Sequence, residues 1–138
     1  MNEIINQVRE ITENVLKRLY KEFKPLKDSE IPKKQGVYII KEKNNRFFNS
    51  KIFYVGKSKN LFNRIIRQHS SEKDNVKNSM LRRTLIKKGL EPHETFKYLN
   101  DECLFIVQEV VDYDINSIVE DLLIATLRKK GEPLINKD

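Results

Sequence analysis

The stretch Tyr54-Val55-Gly56-Lys57-Ser58-Lys59-Asn60-Leu61-Phe62-Asn63-Arg64 reads as the end of a strand, a glycine turn, and a helix whose first turn is basic and amide-rich. Lys51 to Val55 is β-branched and aromatic, which suits a pleated, half-buried surface, and Gly56 lets the backbone turn sharply where a side chain would obstruct it. A strand feeding a helix through glycine can present chemistry at the junction. It can equally be only a tight connection, so the flanking sequence has to decide.

Upstream, Gly36-Val37-Tyr38-Ile39-Ile40-Lys41 reads as a second strand, joined to Lys51–Val55 by the polar segment Glu42 to Ser50, which predicts an antiparallel hairpin. Alternation places Tyr38 and Ile40 on one face and Val37 and Ile39 on the other, while the register across the hairpin stays open. Downstream, Asn60 to Gln68 forms a helix with Leu61, Phe62, Ile65 and Ile66 on one arc and Lys57, Asn60, Arg64 and Arg67 opposite. A loop from Ser70 to Asp74 leads to a second helix, Val76 to Lys88. It buries Met80, Leu81, Leu85 and Ile86, turns Lys77, Arg82, Arg83, Lys87 and Lys88 outward, and ends at Gly89. That basic face suits either a phosphate backbone or plain solvation. Cys103 to Val111 is apolar enough for a central strand, with Phe96 to Leu99 as a short flanking piece.

At the N-terminal end, Ile4, Val8, Ile11, Val15 and Leu19, widened by Ile5, Leu16 and Tyr20, mark an amphipathic helix from Glu3 to Phe23. It is expected to pack on the domain as a lid, because its other face mixes both charge signs. Lys24 to Lys34, with Pro25 and Pro32, connects it to the sheet. With 138 residues, one domain is expected, divided into an N-terminal helix and linker (1–35) and the remainder (36–138). Charged residues make up 34% and apolar ones 38%, a composition that excludes disordered and collagen-like classes. The chain shows neither a membrane-length apolar run nor a secretory leader pattern at Met1-Asn2-Glu3-Ile4, so the expected compartment is the cytoplasm, with nucleoid association open and no membrane partner. A single cysteine, Cys103, forbids an internal disulfide, and with only His69 and His93 beside it a zinc site is not expected. The formal charge of +7 makes a polyanion the first partner to test.

The last helix opens at Ser117-Ile118-Val119-Glu120, which has capping-box spacing, and runs to about Lys130 before Gly131 and Pro133. It is apolar nearly all round, so it should be central. Glu120 emerges from this apolar flank beside Ile124 and Leu127, and a carboxylate there is costly unless it is hydrogen-bonded, ion-paired or bound to a metal. Closing the capping box with Ser117 and holding a metal fit the spacing equally well.

Gly36-Val37-Tyr38, Tyr54-Val55-Gly56, Arg64 eight positions later, Glu120 in Glu-x-x-Leu-Ile and Asn136 near the end, taken in this order, resemble the GIY-YIG nuclease superfamily. Lys57 directly after the second glycine, and Lys59-Asn60-Leu61 before the arginine, resemble its repair-type members. The resemblance covers Gly36 to Asn136 and leaves the first helix as an extension. It implies an α/β (α+β) domain in which helices flank a three-stranded antiparallel sheet, hydrolysing phosphodiester bonds with one divalent metal ion, Mg²⁺ or alternatively Mn²⁺. Carried over by position, Tyr38, Tyr54, Lys57, Arg64 and Glu120 are catalytic, Glu120 being the metal ligand, with Gly56 and Asn136 in support. Lys57, Lys59, Asn60, Arg67, Arg82 and Arg83 are the candidate nucleic-acid contacts. Each also has an ordinary structural reading, as strand aromatics, solvated cations or turn residues. Four positions after the arginine, where the family commonly has His or Tyr, this chain has Gln68, and His69 follows. On an α-helical wheel Gln68 lies about 40° from Arg64 and His69 about 140° away, so Gln68 is expected to face the site and His69 to be packed, unless the last turn is irregular. Gln68 can orient water or phosphate but cannot act as an acid or base near neutral pH.

The resulting expectation is a metal-dependent endonuclease acting on double-stranded or branched DNA. The alternative is a weak or inactive nucleic-acid-binding module on the same scaffold. Oligomeric state is open, and target choice falls to the basic surfaces, to a partner protein or to a targeting module.

Overall fold

Three strands pair antiparallel in the order β2-β1-β3: β1 is Gly36–Glu42, β2 is Ile52–Ser58 and β3 is Cys103–Glu109. They belong to a computed structural model that describes residues 2–19, 21–69 and 79–136. The centre of the sheet is β1, and β3 lies at an edge rather than in the middle, its apolar run being explained by burial beneath helices. The hairpin register pairs Tyr38 with Gly56 and Ile40 with Tyr54, then shifts between Ile40 and Lys41 so that Lys41 pairs with Ile52. Phe53 is the extra residue of this bulge, and both Phe53 and Tyr54 therefore join one core.

The sheet separates two cores. Tyr38, Ile40, Phe53, Tyr54 and Phe105 pack with Leu61, Ile65, Leu81, Leu85, Tyr98 and Leu99 on one face. Val37, Ile39, Ile52 and Val55 pack with Val8, Val15, Val119, Leu123 and Leu127 on the other. The first face is covered by a helix after β2, by α2 (Met80–Lys87) and by α3 (Thr95–Asp101); the second by α1 (Asn2–Arg18) and α4 (Tyr113–Lys129). The alternation expected of Tyr38 and Ile40 against Val37 and Ile39 is thus present.

Both sheet edges are covered. At β3, the Lys24 N–H donates to the Phe105 carbonyl (3.1 Å) and the Phe105 N–H donates back to Lys24 (2.7 Å). That bridge draws the chain off α1, which ends at Arg18 rather than running to Phe23. At β2, the Ile135 N–H donates to Phe53 O (2.8 Å), and the Asn136 amide takes both backbone groups of Val55. Unpaired edges invite pairing with foreign strands, and these short segments prevent it.

Several other boundaries differ from expectation. Gly56 is not a turn; it lies inside β2, which continues to Ser58. Phe96 to Leu99 belongs to helix α3, which follows a short turn opened by Pro92 and Glu94, and Tyr98 and Leu99 bury one helical face. Helix α4 begins at Tyr113, because Asp112 accepts the Asp114 N–H (2.9 Å) as N-cap, so Ser117 and Glu120 sit inside the helix and form no capping box. Helix α2 begins at Met80 with Ser79 as its cap, while Tyr20, the loop from Ser70 to Asp74, Val76 and Lys77 lie outside the described residues. On α2, Arg82 does not face outward. It is 1% exposed, and its guanidinium donates to Thr95 Oγ1 (2.7 Å) and Pro92 O (3.4 Å), because the chain around α3 offers it oxygens where the helical wheel predicted solvent.

Candidate active site

Gly56 is required by packing rather than by backbone freedom. A Cβ at this position would lie 2.2 Å from Cζ and 2.3 Å from the hydroxyl oxygen of Tyr38, its cross-strand partner. The bare glycine lets the Tyr38 ring lie across β2. Tyr54, diagonal to it, brings the two phenol rings to 6.0 Å between centroids. Sequence alternation alone did not establish that meeting; the hairpin register does.

The helix after β2 supplies the next two groups. Asn60 Oδ1 accepts the Asn63 N–H (3.1 Å) and caps the helix start, which gives Asn60 a local structural role. Residues 61–62 are α-helical, but Asn63–His69 is a π-helix. Its bonds run from i to i+5, so residues five apart share a face. His69, five after Arg64, is therefore turned to Arg64's side, where the α-helical wheel had placed it about 140° away. Its Nε2 lies 2.7 Å from the Tyr38 hydroxyl and its Nδ1 2.7 Å from Ser79 Oγ. The side chain of Gln68 lies outside the described residues.

The Arg64 guanidinium acts electrostatically on both phenols. Burial pushes the Tyr38 phenol well above its ordinary pKa, and the neighbouring Tyr54 adds to this, against a lowering by Arg64. The Tyr54 phenol is raised for the same first reason, burial, with Arg64 and Tyr38 opposing it and Glu120 adding to it. Arg64 itself is raised: burial works against its charge, but the two phenols outweigh burial. His69 is pushed down to about 3 by burial, then by Arg64 and Arg82, so its imidazole is neutral across the physiological range.

From the opposite face of the sheet, Glu120 on α4 is half-buried. Burial holds its carboxyl above the usual carboxylate range; Lys57 pulls it back, Asp121 raises it and Arg64 pulls it back further. Lys57 projects from β2, and its ammonium donates to Ser117 Oγ on α4. Glu120 is thus electrostatically coupled to Lys57, Arg64 and Tyr54, which gathers the sequence-derived set from two helices and two strands. Ser117 and Ser79 are additions that the sequence did not single out: Ser117 reads as a helix cap, and Ser79 falls inside the helix expected from Val76 to Lys88 rather than at its cap.

The remaining candidates are placed elsewhere. Asn136 Oδ1 accepts the Val55 N–H (3.0 Å) and its Nδ2 donates to the Val55 carbonyl, so the amide acts as a one-residue strand holding β2 beside Tyr54. Arg67 is exposed and lies over the Phe62 ring (6.0 Å), which Lys33 also approaches (5.4 Å), so Arg67 does not project with Arg64 as the wheel suggested. Lys59 and Arg83 are exposed.

The donor set at Glu120 suits a hard divalent ion. A half-buried carboxylate whose charge is disfavoured by burial is relieved by a cation, and a hard ion such as Mg²⁺ accepts one carboxylate while keeping most of its waters. Among the described residues no three His, Cys, Asp or Glu side chains gather into a cage, so the ion that fits is one completed by water and phosphate. Among the same residues no helix is long and apolar enough to cross a membrane.

Compared with known proteins, residues 34–131 match the family model of the GIY-YIG catalytic domain, and the chain belongs to that family, a family of nucleases. No curated protein and no solved structure matches it.

Proposed function

We propose, with a GIY-YIG catalytic domain as the premise, that this chain is a metal-dependent endonuclease hydrolysing DNA phosphodiester bonds. The observation that carries the reading is the convergence of the Tyr38 and Tyr54 rings with Arg64 in one electrostatically coupled group, which also includes the half-buried Glu120. Arg64 presents a planar fork that matches phosphate oxygens and can neutralise charge developing on the phosphorus centre. Tyr38, once deprotonated, would take the proton of the attacking water, and Arg64 is the group of this chain that favours its phenolate. Lys57, held by Ser117, supplies further positive charge at the phosphate. When bound at Glu120, Mg²⁺ or Mn²⁺ stabilises negative charge on the phosphate and the leaving oxygen. The net charge of +7 assists approach of the polyanion, with Lys59, Arg67 and Arg83 on the outer surface.

One observation favours the second reading, a weakly catalytic binding module: Tyr38 is 1% exposed, so a water reaches its oxygen only after local rearrangement. The two readings separate on incubation with linear, supercoiled, branched and single-stranded DNA in Mg²⁺ or Mn²⁺. Metal-dependent cleavage that is lost in Glu120→Ala and in Arg64→Ala, both folded by circular dichroism, supports the endonuclease. Salt-sensitive binding with no cleavage in any metal supports the binding module. Cleavage unchanged in both variants refutes the site assignment.

A further inference from the structure

The helix after β2 carries a second group of cations besides Arg64. Lys33 Nζ lies over the Phe62 ring, 5.4 Å from its centroid, and the Arg67 guanidinium lies over the same ring at 6.0 Å. The ring is half-buried and both cations are exposed. Two features of the backbone build this arrangement. Lys34 O accepts the Leu61 N–H (2.8 Å) and Pro32 O accepts the Phe62 N–H (3.1 Å), so the linker before β1 takes two of the donors that a helix start leaves open and fixes Lys33 between them. The π-helix supplies the other: Arg67 is five residues after Phe62, the spacing that shares a face in this winding, just as His69 is five after Arg64.

Two like charges gathered on one ring repel each other, and the attraction of an exposed aromatic face is weak. The charges stand no further apart than the two ring distances laid end to end, a span of about three phosphates along a strand that carries one charge per about 3.4 Å of axis. Lys34, the next residue, differs: its ammonium is matched by Glu109 at 3.7 Å. Lys33 enters no ion pair among the described residues. An anion that meets Lys33 and Arg67 together relieves their repulsion. With two cations over it, the ring is no platform for a stacked base, so the patch fits a backbone rather than base edges or faces.

We infer that Lys33 and Arg67, gathered on Phe62, grip the phosphate backbone of duplex DNA beside the reacting centre without reading its sequence. The choice of DNA rests on the endonuclease reading. Phe62 and Arg64 are two residues apart on one helix, and a helix with its side chains is about 10–12 Å across. A duplex that offers its scissile phosphate to Arg64 therefore brings neighbouring phosphates within reach of the patch. Lys33 lies just outside the stretch that matches the family, 34–131, so the linker of this chain adds the contact to the matched domain.

The test is fluorescence anisotropy of labelled DNA duplexes of unrelated sequence, titrated over a range of salt in EDTA so that no cleavage intervenes. Lys33→Ala and Arg67→Ala, both at exposed positions, should each weaken binding by a similar factor on every sequence and lower the slope of log Kd against log salt by about 0.9. Lys34→Ala removes the same formal charge, but a paired one, and should leave the slope unchanged. Phe62→Leu loses the ring that gathers the cations and should raise Kd about twofold or more; an unchanged Kd there overturns the role of the ring. Slopes unchanged in both Lys33→Ala and Arg67→Ala overturn the patch, and so does an equal fall in Lys34→Ala, which would mean that net charge alone sets the slope. A loss confined to one sequence overturns sequence independence, and a slope change on duplex RNA but not on duplex DNA overturns the choice of DNA. A slope that falls as expected in a protein that cleaves no DNA in Mg²⁺ or Mn²⁺ supports the patch and refutes the endonuclease reading. Unchanged slopes beside metal-dependent cleavage refute the patch alone.

Discussion

Substituting Gly56 by alanine tests the central packing relation directly. The new Cβ would stand 2.2 Å from Tyr38 Cζ, whereas carbon atoms in comfortable contact lie about 3.5–4.0 Å apart, so the ring tip must move by about 1.5 Å. A ring that is 1% exposed has no solvent to move into. The hydroxyl therefore leaves His69, with which it makes a 2.7 Å bond, or the two strands part. Overpacking of this kind costs about 1–3 kcal/mol, and a reacting group displaced by about 1 Å commonly loses about a hundredfold in rate. The expected outcome is a folded protein with a denaturation midpoint lowered by that free energy and single-turnover cleavage reduced about a hundredfold. Gly36→Ala is the control: its Cβ would meet the backbone oxygen of Gln108 at 2.1 Å, which no side-chain movement relieves, so stability is the property lost there. Adding Tyr38→Ala to Gly56→Ala should recover part of the stability but none of the cleavage, since the clash disappears with the ring. Gly56→Ala cleaving within about threefold of wild type would refute the argument that Tyr38 needs its present position.

Other perturbations follow from buried groups. Glu42 is 0% exposed; burial pushes its carboxyl up, but the Tyr98 hydroxyl (2.6 Å) and the N–H groups of Phe48, Phe47 and Arg46 outweigh this and leave its pKa lowered. Its stabilisation is therefore present above the unfolded carboxylate pKa of about 4.3 and lost as pH falls below it, and Glu42→Gln should cost about 2–4 kcal/mol in urea unfolding at pH 7. His69, pushed down to about 3, stays neutral in the folded chain while the unfolded chain takes up a proton below about 6.5. Stability should then fall by up to about 1.4 kcal/mol per pH unit between those values, and His69→Gln should flatten that slope in calorimetry. Arg82→Met, read by thermal unfolding, should cost about 2–4 kcal/mol, because Thr95 and Pro92 lose a buried donor; an unchanged melting temperature would mean that the buried guanidinium is dispensable.

The sequence made the hairpin, the two-faced alternation and the candidate members of the site legible because each rests on short-range patterns: period-two apolarity, paired tyrosine motifs, and fixed offsets to Arg64 and Glu120. What it left illegible depended on long-range partners. Arg82 reads as a surface cation on any helical wheel, and it is buried because Thr95 and the Pro92 carbonyl, ten or more positions away, accept its protons. Ser117-Ile118-Val119-Glu120 has the spacing of a cap, yet Asp112 starts the helix earlier and frees Ser117 to accept from Lys57. Gly56 looked like a turn because glycine is most often needed for its dihedral freedom; here it is needed for its missing Cβ, a distinction invisible without knowing that Tyr38 lies opposite.

The π-helix is the sharpest case, because a single change of helical period reassigns a candidate site position. Read with an α-helical period, the chain offers Gln68 to the site and hides His69. Read with i to i+5 bonds, it brings His69 to the Tyr38 oxygen. Helical irregularity of this type stretches backbone bonds and persists where tertiary contacts hold it, and His69 is held at both ring nitrogens. The same bonds connect the first strand, through His69 and the Ser79 cap, to the start of α2. A residue that is buried in the core and one that meets the phenol are therefore the same residue. Placement of the Tyr38 hydroxyl is consequently inseparable from the integrity of the π-helix, and a variant that restores α-helical winding there should lose the Tyr38–His69 bond even with every candidate catalytic side chain retained.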